Sequence, residues 1–166
     1  MKVMKVCFVG ADGTGKTSLI LRYTKNMFSN SYLPTIGCDF YDITISNDLQ
    51  IFLWDIASQK NFEKMRQYYL ASSHLGVICV DIMRHTEEFI DPWIQDIKSY
   101  VGKDCPFLIV VNKIDLMDSE GNVEAIIQKI EKKYGTKVFY TSAKTGQNVT
   151  EMFELIGKTL VDMIKK

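Results

Sequence analysis

Gly10-Ala11-Asp12-Gly13-Thr14-Gly15-Lys16-Thr17 follows the apolar run Val3 to Val9 and opens a helical pattern from Lys16 to Met27. The stretch matches G-x-x-x-x-G-K-[ST], here placed between a strand and a helix. Gly13 and Gly15 allow the backbone to wrap an anion with its N–H groups, and the helix N-terminus adds favourable partial charge. Lys16 can reach outer phosphates, and the Thr17 hydroxyl can ligate Mg²⁺. A nucleoside phosphate is therefore implied. The base is not, and a kinase or ATPase stays open at this point.

Outward from this loop, short apolar runs alternate with helical periodicity. Phe40 to Ser46 and Leu49 to Asp55 read as strands, with Asn47-Asp48 as a hairpin signal. Leu75 to Ile82 and Phe107 to Val111 are continuous apolar runs, as expected of strands covered on both faces. A helix is expected up to Tyr100, with Pro92 in its first turn behind an Asp91 cap, or else at a kink. Further on come a helix over 123–134, a short strand over 138–140 and a last helix from Asn148. Glu151 there makes a capping-box-like signal. This alternation predicts an α/β layered domain with a mostly parallel sheet. Ligands of such sheets bind at the carboxyl ends of the strands.

The strand over 107–111 runs into Asn112-Lys113-Ile114-Asp115. A carboxylate at Asp115 can accept from guanine N1 and its exocyclic amine. Adenine lacks that donor pair and would leave a buried charge unpaired. Asn112 can tie this loop to the phosphate loop, and the Lys113 stem can cover one base face. Thr141-Ser142-Ala143-Lys144 follows the last strand, where the Ala143 N–H can meet guanine O6. Neither loop is specific alone. Both in register behind a phosphate loop point to a guanine nucleotide.

On these residues, together with Ile36-Gly37-Cys38-Asp39-Phe40, Leu49 to Asp55 and Tyr68-Tyr69, the chain resembles a small GTPase of the Ras superfamily, nearest its Rab branch. The resemblance covers essentially the whole chain. It implies a P-loop NTPase three-layer sandwich with a six-stranded, mostly parallel sheet, one antiparallel strand and five helices, in one G domain over 1–166. It also implies GTP and GDP as ligands and Mg²⁺. The implied nucleotide contacts are Asp12, Gly13, Thr14, Gly15, Lys16, Thr17, Ser18, Phe28, Tyr32, Thr35, Ser58, Asn112, Lys113, Asp115, Ser142, Ala143 and Lys144. Phe28 matches an aromatic packed edge-on to the base, and Tyr32 one that closes over the γ-phosphate. Thr17, Thr35 and Asp55 match the Mg²⁺-holding positions, Asp55 acting through water. Gln59 matches the residue that positions the attacking water, beside Lys16 and Thr35 in the chemistry. Switch segments near 30–40 and 55–70 are implied, with effectors, exchange factors and GTPase-activating proteins as partners.

Two departures stand out. The usual second-switch Asp-x-x-Gly-Gln reads Asp55-Ile56-Ala57-Ser58-Gln59. Should that position need φ > 0, Ser58 costs on the order of 1 kcal/mol. Asp12 also puts a carboxylate in the phosphate loop, where related proteins tend to have Gly or Ser. At about 7 Å and an effective dielectric constant of about 20, its repulsion of one phosphate charge is roughly 2 kcal/mol, a ceiling. Slow hydrolysis is expected, and a non-hydrolysing GTP-binding module is the alternative. Lys60 stands where the family usually has Glu and reads as a surface residue. Tyr68-Tyr69 reads as packing under the second switch, while Phe40 and Trp54 read as sheet residues with an effector-facing edge.

The chain has 166 residues, with 46% hydrophobic and 24% charged, and its 20 basic and 20 acidic side chains balance. That is one globular domain, without the bulk charge of a nucleic-acid binder or a polybasic membrane patch. Cys7, Cys38, Cys79 and Cys105 show no metal-ligand spacing and read as free thiols of a reducing compartment. No signal peptide, membrane span or C-terminal lipidation cysteine is found in this sequence. The expectation is a cytoplasmic monomer, reaching membranes only through a tail or a partner. His74 and His85 read as structural.

Overall fold

The computed structural model describes residues 2–46, 48–118 and 121–165. Its sheet is built from β1 (Lys2–Val9), β2 (Cys38–Ser46), β3 (Leu49–Ile56), β4 (Leu75–Asp81), β5 (Phe107–Asn112) and β6 (Val138–Tyr140), in the order β2-β3-β1-β4-β5-β6. Among the strand pairs of the described residues, β2–β3 is antiparallel and the other four are parallel. The hairpin signal falls partly on Asn47, which lies outside the described residues. Five helices cover the sheet: α1 (Lys16–Lys25), α2 (Glu63–Leu70), α3 (Glu87–Tyr100), α4 (Val123–Tyr134) and α5 (Val149–Ile164). The expected six-stranded sheet with five helices is thus what the chain forms.

The parallel strands need helical crossovers, and these place α1 and α5 on one face and α2, α3 and α4 on the other. On the first face Leu19 and Ile20 of α1 and Met152, Phe153, Ile156 and Leu160 of α5 pack on Val6, Phe8, Leu53 and Val77. Phe153 stacks on Tyr23 with centroids 4.0 Å apart. On the second face Leu70, Ile90, Trp93, Ile97, Ile127 and Ile130 pack on Cys7, Val9, Ile78 and Val80. Every residue of β4 is buried, which explains its unbroken apolar run. Cys7 and Cys79 are buried free thiols, and Cys38 and Cys105 are half-buried. Among the described residues no helix is long and apolar enough to cross a membrane.

Three local expectations are corrected. Of the two alternatives for Pro92, the first turn is excluded, since it lies inside α3, and Thr86 precedes the helix instead of Asp91. Glu87 and Glu88 start α3 earlier because they complement the positive end of its dipole. Asn148 precedes α5 but in the left-handed conformation, with its Nδ2 donating to the Tyr140 carbonyl at 3.0 Å. No capping box forms there. Helix α2, which no sequence motif delimited, follows a 3-10 turn over Lys60–Phe62.

The carboxyl ends of β1, β3, β4, β5 and β6 lie along one edge of the sheet. Gly10, Asp55, Asp81, Asn112 and Thr141 stand at those ends, and the site is built on them. Gly10 is required there: its φ is 143°, and a Cβ would lie 2.0 Å from the Cys79 carbonyl oxygen.

Candidate nucleotide site

One cleft of about 540 Å³ runs along this edge. Residues from the phosphate loop and the start of α1, the segment 27–35, Ala57 and Ser58 just after β3, and the loops after β5 and β6 line it. Of the expected contacts it brings together Asp12, Gly13, Gly15, Lys16, Thr17, Ser18, Phe28, Tyr32, Thr35, Ser58, Asn112, Lys113, Asp115, Ala143 and Lys144. Thr14 and Ser142 are buried behind the wall and act on it through hydrogen bonds. Gln59 is half-buried and stands outside the lining, with its carbonyl accepting from the Phe62 N–H at 3.0 Å.

The phosphate loop ends where α1 begins. Gly15 precedes the helix with φ 95° and brings no side-chain cap, so the first helical N–H groups are left for an anion. A Cβ at Gly15 would sit 2.4 Å from Asn112 Nδ2, which explains glycine on packing grounds as well. Lys16 is buried, and its Nζ folds over the loop to the carbonyls of Gly10 and Ala11, at 2.9 and 3.2 Å. Burial pushes its pKa down, while Asp55 opposes that shift.

Beside it lies an oxygen-rich corner. Asp55 is fully buried, and its Oδ2 accepts from the hydroxyls of Thr17 and Thr35, the latter at 3.3 Å. The two hydroxyls are 2.9 Å apart. Asp55 Oδ1 is buried without a hydrogen-bond partner. An orphaned carboxylate oxygen is costly unless something positive faces it. Burial pushes the Asp55 carboxyl up, against the Thr17 hydrogen bond and Lys16. Two hydroxyls and a carboxylate are hard oxygen donors, the set that suits Mg²⁺ when phosphates complete its shell. Among the described residues no cluster of three His, Cys, Asp or Glu forms.

The two departures take definite shapes. Ser58 does not have a positive φ, so the feared backbone strain is absent here. Its hydroxyl oxygen is instead a second buried orphan on the cleft wall. Asp12 is exposed, and its Oδ1 accepts from the Tyr32 hydroxyl, which turns the carboxylate towards the first switch segment.

The other end is cross-braced. Asn112 Nδ2 donates to the Thr14 carbonyl at 2.9 Å, and its Oδ1 accepts from Thr141 Oγ1 at 3.0 Å and the Ala143 N–H at 3.2 Å. It thus ties the base loop to the phosphate loop, the link its position in N-K-x-D suggested, and also to the loop after β6. It also already engages the Ala143 N–H expected to meet the base. Asp115 accepts from Ser142 Oγ at 2.6 Å. Lys113 takes the left-handed conformation, and its Nζ lies 3.0 Å from Asp81 Oδ2.

Sequence reading missed Arg22. From α1 its Nε donates to the Ala143 carbonyl and one terminal nitrogen to the Lys144 carbonyl, both at 2.8 Å. Another reaches Asn26 Oδ1 at 3.0 Å. An arginine fork suits two adjacent carbonyls, but nothing in a lone helical arginine announces them.

The remaining expectations resolve simply. His74 Nδ1 accepts from the Lys5 N–H at 3.0 Å, and His85 Nδ1 bonds the Ile82 carbonyl at 2.6 Å, so both are structural. Lys60 is exposed. Tyr68 is exposed too, so only Tyr69 of the pair packs beneath the switch. Phe40 meets Trp54 edge-on at 4.5 Å, and Lys5 Nζ lies 3.5 Å from the centre of the Trp54 ring.

A sequence model of the Ras family matches residues 5–162. The Ras-related protein Rab-1 of Theileria annulata is 34% identical over 168 aligned positions, covering 98% of this chain and 76% of the relative. The Ras-related protein Rab-1 of Theileria parva is 33% identical with the same coverage. A phosphate loop and a base loop facing one cleft, in a chain matched nearly end to end, lead to one assignment: the protein belongs to the Ras family of small GTPases.

Proposed function

We propose that residues 1–166 act as one GTP-binding switch of the Rab type that hydrolyses GTP to GDP slowly and engages effectors through 30–40 and 55–70. The observation that carries this reading is a single cleft joining a phosphate cradle to a guanine-type loop pair. Asp115, held by Ser142, accepts from the guanine N1–H and amine. Lys113 covers a base face, Phe28 packs at the base edge, and Lys144 closes the base end. N–H groups from Gly13 to Ser18, with Lys16, take the phosphates. Thr17 and Thr35 would hold Mg²⁺ directly and Asp55 through water, and the ion would supply charge stabilisation of the transferred phosphoryl group. Thr35 reports the γ-phosphate because it reaches that corner from a segment that otherwise stands in solvent. Gln59 orients water once the second switch moves it inward. Exposed Ile36, Phe40 and Tyr68 form an apolar face for effectors, with exchange factors and GTPase-activating proteins using the same switches. A role in vesicle traffic follows from the Rab relatives' name, with membrane contact made through a tail or a partner. The balanced charge favours no nucleic-acid binding, and a cytoplasmic monomer is the simplest assembly.

A second reading, a GTP-binding module impaired in hydrolysis, is favoured by Asp12 and Ser58. Asp12 crowds the place an activating arginine would enter, and Ser58 stiffens the γ-phosphate contact of the second switch. Phosphate release from preloaded GTP and Mg²⁺, under single-turnover conditions, separates the two. The switch reading expects slow but complete conversion to GDP. GTP that stays intact as long as it stays bound supports the second reading. Failure to bind GTP or GDP overturns both.

A further inference from the structure

Asp81 ends β4 between the phosphate loop and the base loop, and neither motif contains it. Its Oδ2 lies 3.0 Å from Lys113 Nζ and 3.6 Å from Arg84 Nη2, and its Oδ1 accepts from the Met83 N–H at 2.8 Å. The Arg84 N–H donates to the Asp81 carbonyl at 2.8 Å, which turns the chain tightly and points Arg84 back at the sheet edge. The same Nη2 donates to the Asp12 carbonyl at 3.1 Å, and a Cβ on Gly13 would lie 3.7 Å from it. The Phe89 ring lies 5.8 Å below the guanidinium, within cation–π reach. Burial pushes the Asp81 carboxyl up, but the Met83 N–H, Lys113 and Arg84 outweigh it and hold the group below the usual carboxylate range.

We propose that Arg84 is a positioning residue that fixes the Asp12–Gly13 peptide for the outer phosphates, and that Asp81 couples it to the base loop through Lys113. A peptide plane has one free rotation that matters here. Pinning the Asp12 carbonyl to a cation outside the loop sets where the Gly13 N–H points. A preorganised donor loses less on binding than one that must first be ordered. The charge-assisted bond to the carbonyl is stronger than a neutral one. Asp81 holds both cations by one oxygen, so loosening it releases both loops.

This inference rests on the guanine-nucleotide reading, so its test compares ligands differing only in phosphate number. GDP and GMP affinities are measured by calorimetry for the wild-type chain, Arg84→Met, Arg84→Lys and Asp81→Asn. Arg84→Met is expected to weaken GDP about tenfold and GMP less than about twofold, because the pinned peptide serves the outer phosphate. Arg84→Lys, which keeps a charged donor, recovers most of that loss. Asp81→Asn weakens both ligands, since Lys113 is loosened as well. A general loss of structure would instead reduce GDP and GMP binding equally in Arg84→Met. That equal loss, an unchanged GDP affinity or no recovery by lysine overturns the role of Arg84. Unchanged GMP binding in Asp81→Asn overturns the coupling. A wild-type chain that binds no GDP overturns the guanine-nucleotide reading itself.

Discussion

The two ends of the cleft are built on opposite principles. At the base end, Asn112 and Ser142 are buried and each holds partners on another loop, while Arg22 pins two further carbonyls. At the switch end, Leu33 is 83% and Ile36 77% exposed, and Tyr32 meets the phosphate loop through one phenol–carboxylate contact. Two of the buried polar atoms without a partner among the described residues, Asp55 Oδ1 and the Ser58 hydroxyl, lie at this second end, and none lies at the base end. A satisfied network has one favoured arrangement. A segment with few buried contacts opens at low cost and can be ordered by a ligand. The base end therefore selects a ligand, and the switch end responds to it.

The sharpest way to break this contrast is to change the selecting carboxylate. Asp115→Asn removes the acceptor pair for guanine and presents a donor to a donor. GDP affinity is expected to fall about 10²- to 10³-fold while ADP affinity hardly moves, measured by calorimetry. A loss of less than about threefold means that guanine is selected elsewhere.

Next in size is the brace itself. Asn112→Ala leaves the Thr14 carbonyl, the Thr141 hydroxyl and the Ala143 N–H without their common partner. The expected cost is about 2–4 kcal/mol, lowering Tm by about 5–15 °C at fixed nucleotide concentration. An unchanged Tm would show that the three loops hold their places without it.

The base end was legible because its chemistry uses contiguous residues at a strand's end. The phosphate loop was legible for the same reason, its glycines being demanded by φ and by close approach at Gly10 and Gly15. What escaped was long-range or conditional. Arg22 meets carbonyls from another element, and Asp81 and Arg84 meet the two loops through space, so no spacing rule announces them. Asn148 fits a capping pattern yet takes a left-handed conformation that sends its side chain to Tyr140. Strain at Ser58 was conditional on a positive φ, which the second switch does not adopt here.

A smaller effect is expected at the switch end. Asp12→Gly removes the Tyr32 contact and the carboxylate from the approach to the γ-phosphate. Single-turnover GTP cleavage should rise, with a ceiling of about 30-fold from roughly 2 kcal/mol of repulsion. Cleavage no faster than in the wild-type chain means that the outward-held carboxylate is already harmless.

The most direct test of the contrast is backbone amide hydrogen exchange, compared between the GDP complex and a complex with a non-hydrolysable GTP analogue and Mg²⁺. The account predicts slower exchange over 30–37 and 55–60 with the triphosphate, and unchanged exchange over 112–116 and 141–146. Equal protection of both ends, or switch segments indifferent to the γ-phosphate, would contradict it.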